Sequence, residues 1–320
     1  MRMSGLHLSF LLPNYNGASL LSRCFPSVVA AAERGGCDVI VVDDASTDGS
    51  VAWLHENAPQ VRVVRNPKNR GFASTANRGV GLADTEWVML LNTDVRVESD
   101  IVRRVLPYLD GEDLFAVTFR ADNIDGVFRE GAKGLSVRNG LMKVHHWPDR
   151  WPSRVVNGSR TSAYAVGAHA VFHRRRFLKL GGFDSIYHPA YSEDTDLGYR
   201  AWRCGYAVVY ADDVRVSHHH FGAIATRYSV TSIWVMKLRN RILFTESSLT
   251  DARYLWELRL LVALRLPVYV LSRPDFIRGL IAALPGLIRA RARRTLLKLA
   301  AVRSHREVMQ LLSPGDTRDD

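Results

Sequence analysis

Val39-Ile40-Val41-Val42-Asp43-Asp44-Ala45-Ser46-Thr47-Asp48-Gly49-Ser50 is the stretch on which the fold of this chain turns. Four consecutive β-branched residues leave no polar face. That is the pattern of a strand covered on both sides, as in a parallel sheet between helices. Two acids follow at once. A carboxylate at the end of a buried strand is costly unless a partner or ligand meets it. Asp48 stands where it can cap a helix over Ser50–Asn57.

Outward from this stretch, strand and helix signals alternate. Leu8 to Leu12 is a short apolar strand stopped by Pro13. Ser19 to Glu33 has helical spacing and ends at Gly35-Gly36. Val61 to Val64 is a strand, Ser74 to Ala83 a helix and Trp87 to Leu91 a strand. This alternation predicts an α/β fold with a mostly parallel central sheet flanked by helices. Such sheets bind ligands at the carboxyl ends of their strands. Pro13–Asn16, Asp43–Asp48 and Asn92–Asp94 therefore share one edge. Asp122 to Gly158, rich in Gly, Asn and Arg, predicts loops or a short hairpin. Val166 to Gly182 returns to strand then helix. Glu193 to Cys204 is a helix stopped by Gly205, and Ala207 to Tyr210 a strand.

The chain has 320 residues, 47% of them hydrophobic, which excludes a disordered chain. Cys24, Cys37 and Cys204 are far apart and odd in number, so they predict neither a disulfide framework nor a zinc site, and point to a reducing compartment. Met1 to Ser9 lacks the apolar run of a signal peptide. The formal charge is +11, and residues 232–320 carry 16 Lys and Arg against 8 Asp and Glu, so +8 of it lies there. From Ile233 onward the pattern is helical. Leu255–Leu271 and Phe276–Ile288 are apolar but interrupted by charge, too short for a membrane span. Amphipathic helices on an anionic membrane surface fit this tail, as do helices packed on the preceding domain with a solvated basic face. A nucleic-acid-binding protein would also be basic, but acids at three strand ends would repel phosphates.

Four clusters are candidates for chemistry. Asp43-Asp44 suits a base or ribose. Asn92-Thr93-Asp94 suits a divalent cation bridging phosphates. Glu193-Asp194-Thr195-Asp196, at a helix start, supplies a general base or merely complements the helix dipole. His218-His219-His220 follows a strand and suits a metal. Asn66 to Ala73 joins strand to helix, where N–H groups with Lys68 or Arg70 can face an anion. No GxSxG, GxxxxGK[ST] or HExxH motif occurs.

These clusters together resemble the family 2 glycosyltransferases with a GT-A fold, from about Leu8 to Phe221. The resemblance is carried by Pro13-Asn14-Tyr15-Asn16, Val41 through Ser50, Asn69-Arg70-Gly71-Phe72-Ala73 with Asn77, and Leu90-Leu91-Asn92-Thr93-Asp94. It continues through Gly181-Gly182-Phe183-Asp184, Glu193-Asp194-Thr195-Asp196-Leu197 with Arg200, and Val216-Ser217-His218. The version with Asn-Thr-Asp, Gly-Gly-Phe-Asp and a basic helical tail is most similar to bacterial rhamnosyltransferases. The resemblance implies a catalytic domain over 1–231, with a nucleotide-sugar half (1–110) and an acceptor half (111–231), and a basic amphipathic tail over 232–320. It implies donor contacts at Pro13, Tyr15, Asn16, Asp43 or Asp44, Arg70, Gly71, Asn77, Asn92 and Thr93. Asp94 and His218, with His219 and His220 as rivals, would hold Mg²⁺ or Mn²⁺. Asn92 replaces the first acid of the family's DxD motif, leaving one fewer charge on the metal. Asp194 would be the catalytic base, and Glu193, Gly182, Phe183 and Asp184 would face the acceptor. The partners implied are a nucleotide-diphospho-sugar donor and a glycan or polyprenyl-linked acceptor at the cytoplasmic face of a bacterial membrane, with no nucleic acid.

Overall fold

The computed structural model describes residues 8–123, 125–138, 140–146, 155–156, 159–218 and 228–313. Strands β1 (Leu8–Asn14), β2 (Asp38–Asp43), β3 (Arg62–Arg65) and β4 (Trp87–Leu91) lie in the order β3-β2-β1-β4, all parallel. Helices α1 (Ala18–Gly35), α2 (Ser50–Asn57) and α3 (Phe72–Leu82) connect them. The apolar runs alternate between two cores. Leu8, Phe10, Leu12, Val39, Val41, Trp87, Met89 and Leu91 pack with α1 and α2. Leu11, Ile40, Val42, Val88 and Leu90 pack with α3 on the other face. The strands read as unbroken apolar runs because both faces are covered. The connections change face at β1, and the crevice outside the carboxyl ends of β1 and β4 lies there.

Beyond β4 the sheet becomes mixed. The short β5 (Val95–Val97) is followed by α4 (Ile101–Val105) and the long β6 (Leu114–Asp122), then β7 (Phe128–Glu130). Strands β8 (Lys133–Arg138) and β9 (Leu141–His146) form a separate hairpin, where sequence predicted loops or a hairpin. Strands β10 (Val155–Val156) and β11 (Ser159–Thr161) extend the far edge. Strand β12 (His169–His173) lies antiparallel between β4 and β6. After α5 (Arg174–Lys179) and α6 (Glu193–Arg203) comes β13 (Ala207–His218), parallel to β6. Two segments that looked separate in sequence join in β13, across an irregularity between Ala211 and Arg215.

The C-terminal helices are α7 (Val230–Ser248), α8 (Ala252–Ser272), α9 (Pro274–Ala283), α10 (Leu287–Ala300) and α11 (His305–Leu312). They are continuous with the core that α3 and α6 share: Leu238, Leu243, Phe244, Ala283, Ala290, Leu297 and Val308 belong to it. Gly279 and Gly286 permit close approach, since a Cβ there would lie 2.6 Å and 2.8 Å from Leu238 and Leu243. Arg289 and Arg293 reach Asp184 at 2.7 and 2.6 Å, while Arg291 and Arg294 reach Glu246 at 3.6 and 3.3 Å. Part of the tail's positive charge is therefore neutralised inward. Outward, Trp256, Leu260 and Leu264 of α8, and Ile281, Leu284 and Ile288 further on, are exposed. Among the described residues no helix is long and apolar enough to cross a membrane. The three cysteines are free thiols.

The Gly181-Gly182 turn has φ of +80° and +64°. A Cβ on Gly182 would sit 2.4 Å from Asn77 Oδ1, whereas one on Gly181 would meet nothing within 4 Å. Gly181→Ala should cost only backbone strain, about 1 kcal/mol. Gly182→Ala should cost clearly more, and urea denaturation of the two variants checks the order.

Candidate active site

Four loops meet at the carboxyl ends of β1, β2, β3 and β4. The fully buried Asp43 accepts from Asn14 Nδ2 at 2.8 Å and the Ser46 amide at 3.0 Å, with Arg65 Nε at 3.5 Å. Asp44 accepts from Asn66 Nδ2 at 2.7 Å and from the amides of Arg70 and Gly71 at 2.9 and 2.8 Å. The anion at the start of α3 is thus the protein's own Asp44 carboxylate, which corrects the expectation that those N–H groups wait for a phosphate. Asp48 bridges two helix starts, taking the Ala18 amide at 2.9 Å and the Ser50 amide at 3.0 Å. Asn16, at φ +50°, accepts from the Thr47 amide at 2.8 Å. Pro13 and Tyr15 are half-buried beside it, and the Arg70 side chain is exposed.

Asp94 and His218 come together because β5, directly after Asp94, pairs with the end of β13, with Val95 opposite His218. Asp94 Oδ1 lies 3.4 Å from His218 Nε2, and both side chains are buried. The half-buried Asn92 and Thr93 precede them, and the Asn92 amide donates to the Ala168 carbonyl at 2.9 Å. Two residues absent from the sequence expectation join this pair. His169 opens β12 opposite Leu91, and Glu130 of β7 pairs with Ala121. Glu130, His169 and His218 offer ligand atoms all within 4.8 Å of one another. Lys133, fully buried, holds Glu130 Oε2 at 3.3 Å and His146 Nδ1 at 3.1 Å. Burial alone would push the Glu130 carboxyl up. The His169 ring and the charges of Lys133 and His218 outweigh it and hold Glu130 well below the usual carboxylate range. Burial keeps the His169 pKa below its ordinary value.

Glu193 and Asp194 open α6. They follow Tyr191 and Ser192, both left-handed at φ +74° and +76°. Such non-glycine conformations persist where surroundings impose them. Here Asn240 Nδ2 donates to the carbonyls of Tyr187, Ala190 and Tyr191 at 2.9, 2.7 and 2.9 Å, and Arg239 to those of Ile186 and His188. Asp194 Oδ1 accepts from the Thr195 amide at 2.7 Å. Burial raises the Asp194 pKa against the amides of Thr195 and Gly167 and the charge of Lys133. Burial and the Asp194 charge push Glu193 up to about 8, and its Oε2 is buried without a hydrogen-bond partner. Lys133 and Glu130 act electrostatically on Asp194, and Glu130 feels His218, so the base candidate and the Asp94–His218 pair share one environment.

Other expected site residues have structural roles. The Asn77 carboxamide is used in both directions by the Phe183 backbone, at 2.8 and 2.9 Å, which ties α3 to the glycine turn and corrects its expected donor role. Phe183 is buried among Phe72, Phe172 and Phe177. The Gly182 carbonyl accepts from Arg200 at 2.8 Å. Asp184 is spent on Arg289, Arg293 and the Ile186 amide. Gly182, Phe183 and Asp184 therefore brace the loop, and of the four expected acceptor residues only Glu193 keeps a carboxyl oxygen without a hydrogen-bond partner. His219 and His220 lie outside the described residues. The one signal that could have found His169 is an imidazole opening the otherwise apolar run to Phe172. Glu130 and Lys133 follow no sequence spacing.

A family model described as Glycosyl transferase family 2 matches residues 9–181. The succinoglycan biosynthesis protein ExoO of Rhizobium meliloti (strain 1021) is 31% identical over 125 residues, 39% of this chain and 35% of that one. An N-acetylglucosaminyl-diphospho-decaprenol L-rhamnosyltransferase of Mycobacterium tuberculosis (strain ATCC 25618 / H37Rv) is 26% identical over 233 residues, 64% of this chain and 73% of the relative. The chain thus spans about a third of the first relative and nearly three quarters of the second. Among solved structures, GalNAc-T7 with UDP, GalNAc and Mn²⁺ has a TM-score of 0.58 at 16% identity, over 77% of this chain and 48% of that one. Staphylococcus aureus TarS 1–349 in complex with UDP-GlcNAc has a TM-score of 0.56 at 16% identity, over 95% and 88%. These likenesses establish the GT-A fold expected from the sequence.

The raised Glu193 pKa makes a prediction about stability. Between its ordinary value of 4.5 and about 8 the folded chain holds a proton that the unfolded chain has released, so this group lowers stability as pH rises through that window. Glu193→Gln should therefore raise Tm at pH 8.5 by about 2–4 °C, the equivalent of roughly 1 kcal/mol, with a smaller effect at pH 4.5. Thermal scans at the two pH values check this.

Proposed function

The chain belongs to glycosyl transferase family 2, and we propose that it is an inverting enzyme moving a sugar, rhamnose first among candidates, from a nucleoside-diphosphate donor to a hydroxyl of a polyprenyl-linked glycan. The observation that carries the reading is the pairing of Asp94 with His218 at the carboxyl edge of the sheet, beside Glu130 and Lys133, whose charges act on Asp194. The base and ribose rest against Pro13, Tyr15 and Asn16, on loops that Asp43 and Asp44 anchor. Asn92, Thr93 and the exposed Arg70 side chain border the diphosphate.

A divalent cation fits this site, because buried carboxylate and imidazole groups converge there and His169 has no hydrogen-bond partner of its own. Asp94 and His218 would hold it, and when bound it supplies positive charge against the departing diphosphate. Asp194 does the proton work. Burial raises its pKa above the ordinary carboxylate value, which strengthens it as a base. It takes the acceptor hydroxyl proton as the acceptor oxygen bonds the anomeric carbon from the face opposite the leaving group. The glycosyl–phosphate bond breaks, the nucleoside diphosphate leaves with the electron pair, and configuration inverts. Thr195 and Gly167 amides hold the Asp194 carboxylate in place. Tyr164, buried beside Asp194 and Glu130, has its pKa raised by burial and by those charges, and stays a neutral phenol.

The rhamnose and polyprenyl choices rest on likeness to the mycobacterial rhamnosyltransferase. The acceptor's lipid agrees with the exposed Trp256, Leu260 and Leu264 stripe beside cationic Arg253 and Arg259, which suits peripheral docking on the anionic inner face of a bacterial membrane.

Asp194→Asn should lower kcat at least about 100-fold while donor-induced thermal stabilisation persists; unchanged turnover would move the base elsewhere. In a thermal screen of nucleotide sugars with Mn²⁺ or Mg²⁺, the expected hit is dTDP-rhamnose. A UDP- or GDP-sugar hit would replace that donor. Since α7 is part of the core, membrane docking is better tested by substitution than by truncation. Trp256→Ser combined with Leu260→Ser should reduce flotation with anionic liposomes and leave the fold intact. Undiminished flotation would rule this face out.

A further inference from the structure

Glu130 and His169 are absent from the ligand pair expected from sequence, yet they are built into the same cluster. His169 is fully buried, and neither of its ring nitrogens makes a hydrogen bond. A buried imidazole whose Nδ1 has no hydrogen-bond partner and whose Nε2 faces only a carboxylate beyond hydrogen-bond distance is a standing cost, and such groups in folded proteins mark water, an ion or a catalytic role. Its Nε2 is 3.7 Å from Glu130 Oε2, its ring centroid is 5.7 Å from that of His218, and Asp94 Oδ1 approaches the His218 side at 3.4 Å. Lys133 pairs with the same Glu130 oxygen at 3.3 Å and holds the carboxylate in place, as outer partners of ligating groups do.

We propose that Glu130 and His169 join His218 and Asp94 as cation ligands, and that this mixed set of two imidazoles and two carboxylates takes Mn²⁺ or Co²⁺ in preference to Mg²⁺. Mg²⁺ favours oxygen ligands in near-ideal octahedral geometry and retains its waters, whereas imidazole suits the later first-row metals. Two imidazoles among four protein ligands, with His169, His218 and Glu130 at ligand distance from one another, satisfy the second preference and leave Mg²⁺ short of the all-oxygen shell it favours. The inference deepens the proposed function and rests on it for the identity of the site, but its test does not depend on sugar transfer.

The full chain, stripped with chelator, is titrated with MnCl₂, CoCl₂ or MgCl₂ alone. Free Mn²⁺ is followed by electron paramagnetic resonance, and bound Co²⁺ by its visible absorption. Mn²⁺ and Co²⁺ should bind more tightly than Mg²⁺. His169→Gln and Glu130→Gln should each weaken Mn²⁺ at least about tenfold, and His169→Gln should alter the Co²⁺ spectrum. Near-UV circular dichroism controls for folding, and Glu130→Gln decides the matter if His169→Gln does not fold. Variants that bind Mn²⁺ as the parent does, or a parent that binds Mg²⁺ as tightly as Mn²⁺, overturn the proposal. A parent chain that passes this test but transfers no sugar leaves the cation site standing and overturns the catalytic reading instead.

Discussion

Strand β12 runs against both its neighbours, and the two halves of the molecule depend on that pairing. Its register with Leu91-to-Trp87 on one side and Thr118-to-Ala116 on the other closes β4 and β6 into one sheet. Because it is antiparallel, β12 begins where β4 ends. His169 is thereby delivered to the edge that carries Asp94. The same geometry brings the end of β13 back against β5, so that His218 arrives from the opposite side. A parallel strand in this slot would start at the far edge of the sheet, and His169 would be lost to the site.

The acids that end the buried strands illustrate a second constraint. Unpartnered carboxylates cannot be buried cheaply, and each of these is matched. Asp43 draws in Asn14, Ser46 and Arg65, and Asp44 draws in Asn66 and two backbone amides. The loops at this edge are therefore tied to one another by the protein's own hydrogen bonds. The base candidates are treated differently. Glu193 and Asp194 are half-buried with fewer compensating contacts, and their pKa values rise as a result. Loops are fixed where acids are satisfied, and proton affinity is created where they are not.

Much of this was legible in the sequence. Val39–Val42 and Trp87–Leu91 are continuous apolar runs, and both are central strands. Ser50–Asn57 was bounded correctly because Asp48 and Gly49 punctuate it. What escaped the sequence was contact between distant elements. Nothing in Asn77 announces that both ends of its amide serve the Phe183 backbone, 106 residues away. Asp184 looks like an acceptor-facing acid until α10 supplies Arg289 and Arg293. Glu130 and Lys133 lie in a Gly-, Asn- and Arg-rich region without periodicity, and only the pairing of β7 with β6 locates Glu130. The apolar stripes of the tail were visible, but which face is covered depends on glycines 279 and 286 meeting leucines of α7.

The grip of α7 on the 186–191 loop has a consequence for how such proteins diversify. Asn240 and Arg239 satisfy carbonyls of a loop whose left-handed turn delivers Glu193 and Asp194, and Asp184 at its foot is bound by α10. Residues 184–194 and 230–313 thus form a single unit of inheritance, although 35 positions separate them in the chain. In this chain the C-terminal helices could not be exchanged for others lacking Arg239, Asn240, Arg289 and Arg293 without leaving this loop's carbonyls and Asp184 unmatched. Recombination at the apparent boundary near residue 230 would yield chimaeras in which the turn before Glu193 and Asp194 loses its supports even when the sheet is intact.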